Sequence, residues 1–350
     1  MPRQGKILWG VAGSGGIAQR RTIPEGIVPA RNARLAVVYD VDREVNRQVA
    51  ERFQARAAET LEELLASEVE AVYVASPVYA HREQVLAAAR AGKHVLCEKP
   101  LGRNVEEAEE MVAACRRASV RFGTALMMRF HAQHQAALAL IREGRLGRPV
   151  YARAQLSCWY PPIPGAWRQD PALGGGGALM DMGAHCLDLL EMFFGPVARL
   201  SCILAHAVHD YPSEDGATVL LGFSNGALGT VDVFFSIPDA ASDNVLELYG
   251  SRGAILARGT IGQGSGGLMY ARLEEAEGAY DARQQRSSAA GVEITPEAGN
   301  PYRAEIEEFS QALLEGREPA VSGETGLGNQ KLLAACYESA RTGRVVEVIG

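Results

Sequence analysis

Two short segments hold side chains able to move a proton or meet a charge. In G-G-G-G-A-L-M-D-M-G-A-H-C-L-D, residues 174–188, Asp181 and His185 stand four apart, so on a helix they share one face, with Asp188 three further on. Imidazole titrates near neutral pH, and a carboxylate one turn away can hold its tautomer, so the pair suits general acid/base chemistry. The structural alternative is a helix start that favours an acidic group and a histidine satisfied in a core. Lys99, in C-E-K-P-L at residues 97–101, directly follows a short apolar run. Its ammonium either stabilises negative charge on a substrate oxygen or is simply solvated. The Lys99–Pro100 bond is expected in the commoner trans form. Arg129, in M-M-R-F-H, reads as a substrate contact or an interdomain ion pair. Trp167 and Arg168 follow Pro161, Pro162 and Pro164, and either line a polyol pocket or brace their loop.

A third segment explains what such groups would act beside. The apolar run Ile7 to Ala12 reads as a buried strand, broken by Gly13, Gly15 and Gly16 before Ile17 and Ala18 open a helical pattern. Gly13-x-Gly15-x-x-Ala18 fits the dinucleotide fingerprint, in which glycines allow the turn and the approach of a pyrophosphate to helix N–H groups. Ser14 lies within that turn. A second run, Leu35 to Tyr39, ends at Asp40, where a carboxylate accepts from a ribose 2′-OH and repels a 2′-phosphate. NAD is therefore expected in preference to NADP.

The elements that must position these residues divide the chain into two styles. Through residue 126, short apolar runs alternate with amphipathic helices: Ala71 to Ala75, His94 to Cys97 and Phe122 to Met127 read as strands, and Glu44 to Phe53, Thr60 to Ala66 and Asn104 to Ala118 as helices. That alternation predicts a doubly wound parallel sheet, with ligands beyond the carboxyl ends of its strands. Ser76, Pro77 and His81 then join the glycine turn and the Glu98-Lys99 loop as cofactor-side residues. From residue 127 on, strands follow one another, with Asn225-Gly226 as a hairpin turn, so an α+β domain built on a large, mostly antiparallel open sheet is expected. An open sheet face suits a subunit partner, giving a homodimer or homotetramer. Gly259 to Gly267 reads as a mobile loop.

Composition narrows the classes. The 350 residues suit two domains, and 47% hydrophobic content supplies their cores. With 35 basic and 42 acidic side chains the net charge is −7, without charge blocks, which argues against nucleic-acid or anionic-membrane surfaces. No apolar run spans a bilayer and Met1 to Gly5 builds no signal peptide, so a cytoplasmic protein is expected. The six cysteines form no C-x-x-C pair. His131-x-x-His134 and His206-x-x-His209 lack companion ligands and read as surface or loop histidines, so no metal is expected.

Together, W-G-V-A-G-S-G-G-I-A (9–18), A-S-P-V-Y-A-H (75–81), C-E-K-P-L (97–101) and G-G-G-A-L-M-D-M-G-A-H-C-L-D (175–188) resemble the glucose-fructose oxidoreductase / inositol dehydrogenase / MocA family over essentially the whole chain. The resemblance implies an N-terminal Rossmann domain, a C-terminal α+β domain whose open sheet forms a dimer contact, and NAD(P)-dependent redox chemistry on sugars or cyclitols. It further implies that Lys99 binds and polarises the substrate oxygen, that His185 is the acid/base and that Asp181 assists it. Val78 stands where many members carry Asn. Within the family the alternatives are a glycosidase that oxidises the sugar transiently on retained NAD, a reductase of a non-sugar substrate such as a dihydrodiol or tetrapyrrole, and a sugar-sensing regulator. Retention of Lys99, Asp181 and His185 argues against the last.

Overall fold

The computed structural model describes residues 5–275, 282 and 291–348. Met1 to Gln4, part of the stretch read for a signal peptide, lie outside the described residues. Two compact units emerge: residues 1–130, 165–176 and 300–331 form the first, and 131–164, 177–299 and 332–350 the second. The chain thus leaves the first unit near Phe130 and returns to it twice, the last division falling inside the helix Gly323–Thr342.

The first unit is built on six strands, β1 (Ile7–Ala12), β2 (Ala33–Tyr39), β3 (Arg56–Ala57), β4 (Ala71–Val74), β5 (His94–Glu98) and β6 (Phe122–Ala125). Their order is β3-β2-β1-β4-β5-β6 and every pairing is parallel. Both faces are covered, so alternate residues of one strand enter different cores: Val72 and Val74 pack with Val85 and Met111, whereas Ala71 and Tyr73 pack with Trp9, Ile23 and Phe309. Burial on both sides is why these strands are continuous apolar runs in the sequence. The returning helix Pro301–Glu315 supplies Ile306 and Phe309 to the second core, and the Trp9 indole N–H donates to Ser310 Oγ at 3.1 Å. Side chains cap the helix starts: Asp42 accepts from the N–H groups of Glu44 and Val45, Thr60 from Glu63, and Asn104 from Glu107. The strand expected to run to Met127 stops at Ala125, because Met127–Phe130 coils into a 3₁₀ turn.

The second unit holds nine strands: β7 (Pro149–Ser157), β8 (Val197–Ala205), β9 (Gly216–Phe223), β10 (Leu228–Phe234), β11 (Val245–Gly250), β12 (Gly253–Arg258), β13 (Leu268–Leu273), β14 (Val292–Glu293) and β15 (Val346–Glu347). They run in the order β14-β13-β12-β11-β7-β10-β9-β8-β15. All pairings are antiparallel except β7 with β10, and Gly226, at φ +90°, turns the hairpin between β9 and β10. Ala152, Ala154, Val231, Val233 and Leu248 are fully buried on one face, while Ile203, Leu220 and Leu228 on β8, β9 and β10 are exposed.

Two expectations need correction here. His131, His134 and His209 are buried rather than surface residues, and only His206 is exposed. Each buried ring has a partner: His131 Nε2 meets Gly266 O at 3.2 Å, His134 Nε2 meets Thr260 Oγ1 at 3.2 Å, and His209 Nε2 meets Phe235 O at 3.1 Å. The His131 and His134 contacts, with Gln133 donating to Gly267 O at 3.2 Å, tie down the loop from Gly259 to Gly267 that its glycines mark as mobile.

Candidate active site

Three loops at the carboxyl ends of β1, β4 and β5 are joined by direct contacts within the first unit. The glycine turn after β1 is held by Gly13 and Ser14, whose N–H groups donate to Tyr39 O at 2.9 and 3.1 Å. Gly13 adopts φ +82°, and a Cβ there would stand 2.3 Å from Ser76 N, so only glycine lets the turn press against the second loop. In that loop Ser76 Oγ donates to Gln84 at 2.8 Å, and Ser76 O faces His81 Nε2 at 2.8 Å. His81 is buried, with Nδ1 3.1 Å from Pro100 O and 3.2 Å from Leu101 O. It therefore clamps the second loop to the third, and burial lowers its pKa against the pull of those carbonyls. Pro77 caps the helix Val78–Arg90, whose first residue, Val78, is buried.

The third loop carries Lys99, and its Lys99–Pro100 bond is cis, not the trans form expected from frequency alone. The tertiary amide leaves only a small trans preference, so local packing decides the isomer. Glu98 turns inward: it accepts from the Tyr73 hydroxyl, itself 2.9 Å from Thr22 Oγ1, and from the Lys99 N–H at 3.1 Å. Desolvation raises the Glu98 carboxyl, while Lys99, Tyr73 and Arg168 hold it back. Arg168 thus acts on the loop of Lys99, and its guanidinium lies 4.1 Å from the ring centroid of Trp167. Glu305 is buried nearby, and desolvation together with the charge of Glu98 keeps it protonated far above the usual carboxylate range. Sequence reading missed Tyr73, Thr22 and Glu305. The signal for Tyr73 was a hydroxyl inside the apolar run A-V-Y-V, which burial obliges to find a partner.

Asp181 and His185 belong to the second unit. Their helix opens as a π-helical stretch, Leu179–Gly183, before the α-helix Ala184–Phe194, so the spacing of four falls across a widened turn rather than regular α-helix. From Gly176 to Leu190 these two are the only residues not buried. Asp188, three further on, is buried. Arg129 is half-buried in the 3₁₀ turn Met127–Phe130 of the first unit.

Comparison with known proteins places this arrangement. Residues 7–126 match "Oxidoreductase family, NAD-binding Rossmann fold" and residues 139–348 match "Oxidoreductase family, C-terminal alpha/beta domain", the two halves of one family. The chain belongs to the Gfo/Idh/MocA oxidoreductases. As a Gfo/Idh/MocA protein it is an NAD(P)-dependent dehydrogenase or reductase. It is 30% identical over 344 residues, 97% of this chain and 98% of the relative, to a 1,5-anhydro-D-fructose reductase of Ensifer adhaerens. It is 29% identical to an NADP-dependent D-xylose 1-dehydrogenase of Haloferax volcanii, covering 98% of this chain and 100% of that one. Among solved structures it is similar to aldose-aldose oxidoreductase from Caulobacter crescentus complexed with glycerol, with TM-score 0.87, 27% identity and coverage of 98% and 99% of the two chains.

The Gfo/Idh/MocA nucleotide site can be tested against the residues present. Ser14 Oγ is buried with no hydrogen-bond partner among the described residues. No side chain caps the helical stretch that begins at Ala18, and nothing lies within 4 Å of a Cβ placed on Gly16. A free hydroxyl, uncapped N–H groups and open space beside them fit a pyrophosphate. Asp40 reaches back to this turn, accepting from Gly15 N–H at 2.9 Å through Oδ2 and from Asp42 N–H at 3.0 Å through Oδ1. Each carboxylate oxygen retains a lone pair for a ribose hydroxyl.

Proposed function

We propose that this protein interconverts a secondary hydroxyl and a ketone or lactone on a sugar, sugar derivative or cyclitol, with NAD preferred over NADP. The carrying observation is that Asp181 and His185 alone interrupt a stretch that is otherwise buried from Gly176 to Leu190. The sugar-acting names of the Ensifer, Haloferax and Caulobacter relatives support the substrate class.

When bound, the nicotinamide supplies the hydride acceptor or donor. The turn from Gly13 to Gly16, with Ser14 and Ile17, would hold its pyrophosphate, and Asp40 its adenosine ribose, where a 2′-phosphate would meet a carboxylate. Ser76, Pro77, His81 and Glu98 shape the walls of that site through the contacts that lock the second and third loops together. Lys99 polarises the substrate oxygen and stabilises developing alkoxide. His185 takes the hydroxyl proton during oxidation and returns it during reduction; its Nδ1 is buried, so Nε2 is assigned the transfer. Asp181 orients the imidazole, while Arg129, Trp167 and Arg168 are assigned to the remaining hydroxyls. Six free cysteines, five of them buried, fit a reducing, cytoplasmic compartment.

The test is a panel of aldoses, anhydrosugars, glycosides and inositols with NAD and with NADP, following reduced-nicotinamide absorbance. Lys99→Met and His185→Ala are each expected to lower turnover roughly 10²–10⁴-fold while leaving dinucleotide affinity near wild type. Wild-type rates in either variant overturn that residue's role. Preference for NADP overturns the assignment of Asp40, and sugar hydrolysis without net reduced nicotinamide overturns the redox outcome.

A further inference from the structure

The helix that carries Asp181 and His185 starts without a cap of its own. An unassisted helix start leaves four N–H groups unsatisfied. Here Glu214, from elsewhere in the second unit, takes those of Gly177, Ala178 and Leu179. Gly177 N–H and Leu179 N–H donate to Glu214 Oε1 at 2.8 and 3.0 Å, and Ala178 N–H donates to Glu214 O at 3.1 Å. The Tyr337 hydroxyl donates to the same Glu214 Oε1 at 2.8 Å. Asp181 N–H then begins the helix proper by bonding Gly177 O at 3.0 Å. A Cβ on Gly177 would stand 2.1 Å from Glu214 O, so the approach depends on glycine.

We propose that Glu214 and Tyr337 are positioning residues for catalysis, a two-residue clamp that fixes the first turn and so aims Asp181 and His185. Glu214 precedes β9 and is only 5% exposed, an expensive place for a carboxyl that forms no ion pair among the described residues. Its oxygen is instead met by two N–H groups and a phenol, at the positive end of the helix. Burial raises its pKa and those donors oppose the rise, so the clamp depends on the full donor set. Tyr337 lies on the helix Gly323–Thr342, which ties the start of the Asp181–His185 helix to a third element. Asp181 follows the last clamped N–H, that of Leu179, by two residues and His185 by six, so a shift of the first turn moves both side chains. The inference rests on the assignment of His185 as the acid/base, but its test does not.

The full-length protein and its Glu214→Ala, Glu214→Gln and Tyr337→Phe variants would be compared by amide hydrogen exchange and by proton NMR titration of the His185 ring. In Glu214→Ala and Tyr337→Phe, amides of residues 177–181 are expected to exchange roughly tenfold faster or more, with strands β1 and β4 unchanged. The His185 titration midpoint is expected to differ from the wild type's. Glu214→Gln, which keeps the acceptor oxygen, is expected to restore both. Should Glu214→Ala not fold, Tyr337→Phe decides alone. Unchanged exchange overturns the clamp, and faster exchange with an unmoved His185 titration reduces it to a structural cap, overturning the positioning role. Wild-type turnover by His185→Ala in the sugar panel would overturn the acid/base assignment and leave the exchange result standing.

Discussion

Glu305 shows how a single buried carboxyl ties the chemistry of the first unit to its stability. It is 2% exposed, neither of its oxygens has a hydrogen-bond partner among the described residues, and Glu98 faces it electrostatically. Tyr73 and Tyr302 share that surrounding, each pushed upward by burial and by the carboxylates. With its pKa raised well above the ordinary value, Glu305 keeps a proton in the folded state that the unfolded chain releases near pH 4–5 (about 4.3 for a free Glu). The folded state therefore binds more protons across that window, and stability falls as pH rises toward the folded-state value, by up to about 1.4 kcal/mol per pH unit. Glu305→Gln removes the titration, so its unfolding free energy is expected to decline less steeply between pH 5 and 8 than the wild type's. Urea denaturation at intervals across that range measures it, and parallel curves would show that Glu305 is ionised in the native protein. Glu98 contributes a slope of the same sign in both proteins, because its pKa is also raised by burial.

Elements translate such residues into position, and the glycine turn after β1 is the sharpest case. Gly13→Ala forces φ +82° on a residue with a Cβ, costing roughly 1–2 kcal/mol before any contact is counted. The added carbon also drives the Ser76 backbone away, and with it the His81 clasp to Pro100. Dinucleotide affinity is expected to fall roughly tenfold or more, read by quenching or transfer fluorescence of NADH. Unaltered affinity with lowered stability would mean that the turn serves folding alone. This turn was legible in the sequence because its chemistry is local: a strand, glycines at fixed spacing and a helix within twenty residues. Five of the six strands of the parallel sheet were legible for a related reason, since burial on both faces makes them apolar runs; the exposed edge pair Arg56–Ala57 of β3 carries no such run. Other features were not local. The runs G-A-I-L-A-R and L-M-Y-A-R-L flank the glycine-rich loop and pair with each other as β12 and β13, a partnership their own residues do not announce. The parallel pairing of β7 with β10 joins strands more than seventy residues apart. Nothing in the sequence around Glu214 or Glu305 sets them apart; only the folded chain shows what surrounds them.

At the scale of the whole molecule, the nine-stranded sheet presents a face that one copy of the chain leaves uncovered. Its inner side is a continuous core, but on the other side Ile203 is 72% exposed, Leu220 58% and Leu228 56%. The pairing register puts Leu220 opposite Ser201 and Thr230, and Ile203 opposite Thr218, so these apolar side chains stand among small hydroxyl residues. Tyr151 and Arg153, on neighbouring β7, extend the same face, with Tyr151 hydrogen-bonded to Thr230 Oγ1 at 2.8 Å and Arg153 paired to Asp232 at 3.4 Å. A flat, apolar, hydroxyl-studded sheet suits an isologous contact in which two copies stack face to face. The protein is therefore expected to sediment as a dimer or a dimer of dimers. Leu220→Glu puts two like charges near the axis of such a contact, where desolvation and repulsion both oppose assembly. Sedimentation equilibrium of that variant is expected to show monomer at concentrations where the wild type is associated, with an unchanged far-ultraviolet circular dichroism spectrum. A monomeric wild type, or a variant that associates equally well, would move the subunit contact off this face and leave the exposed leucines without a partner of their own kind.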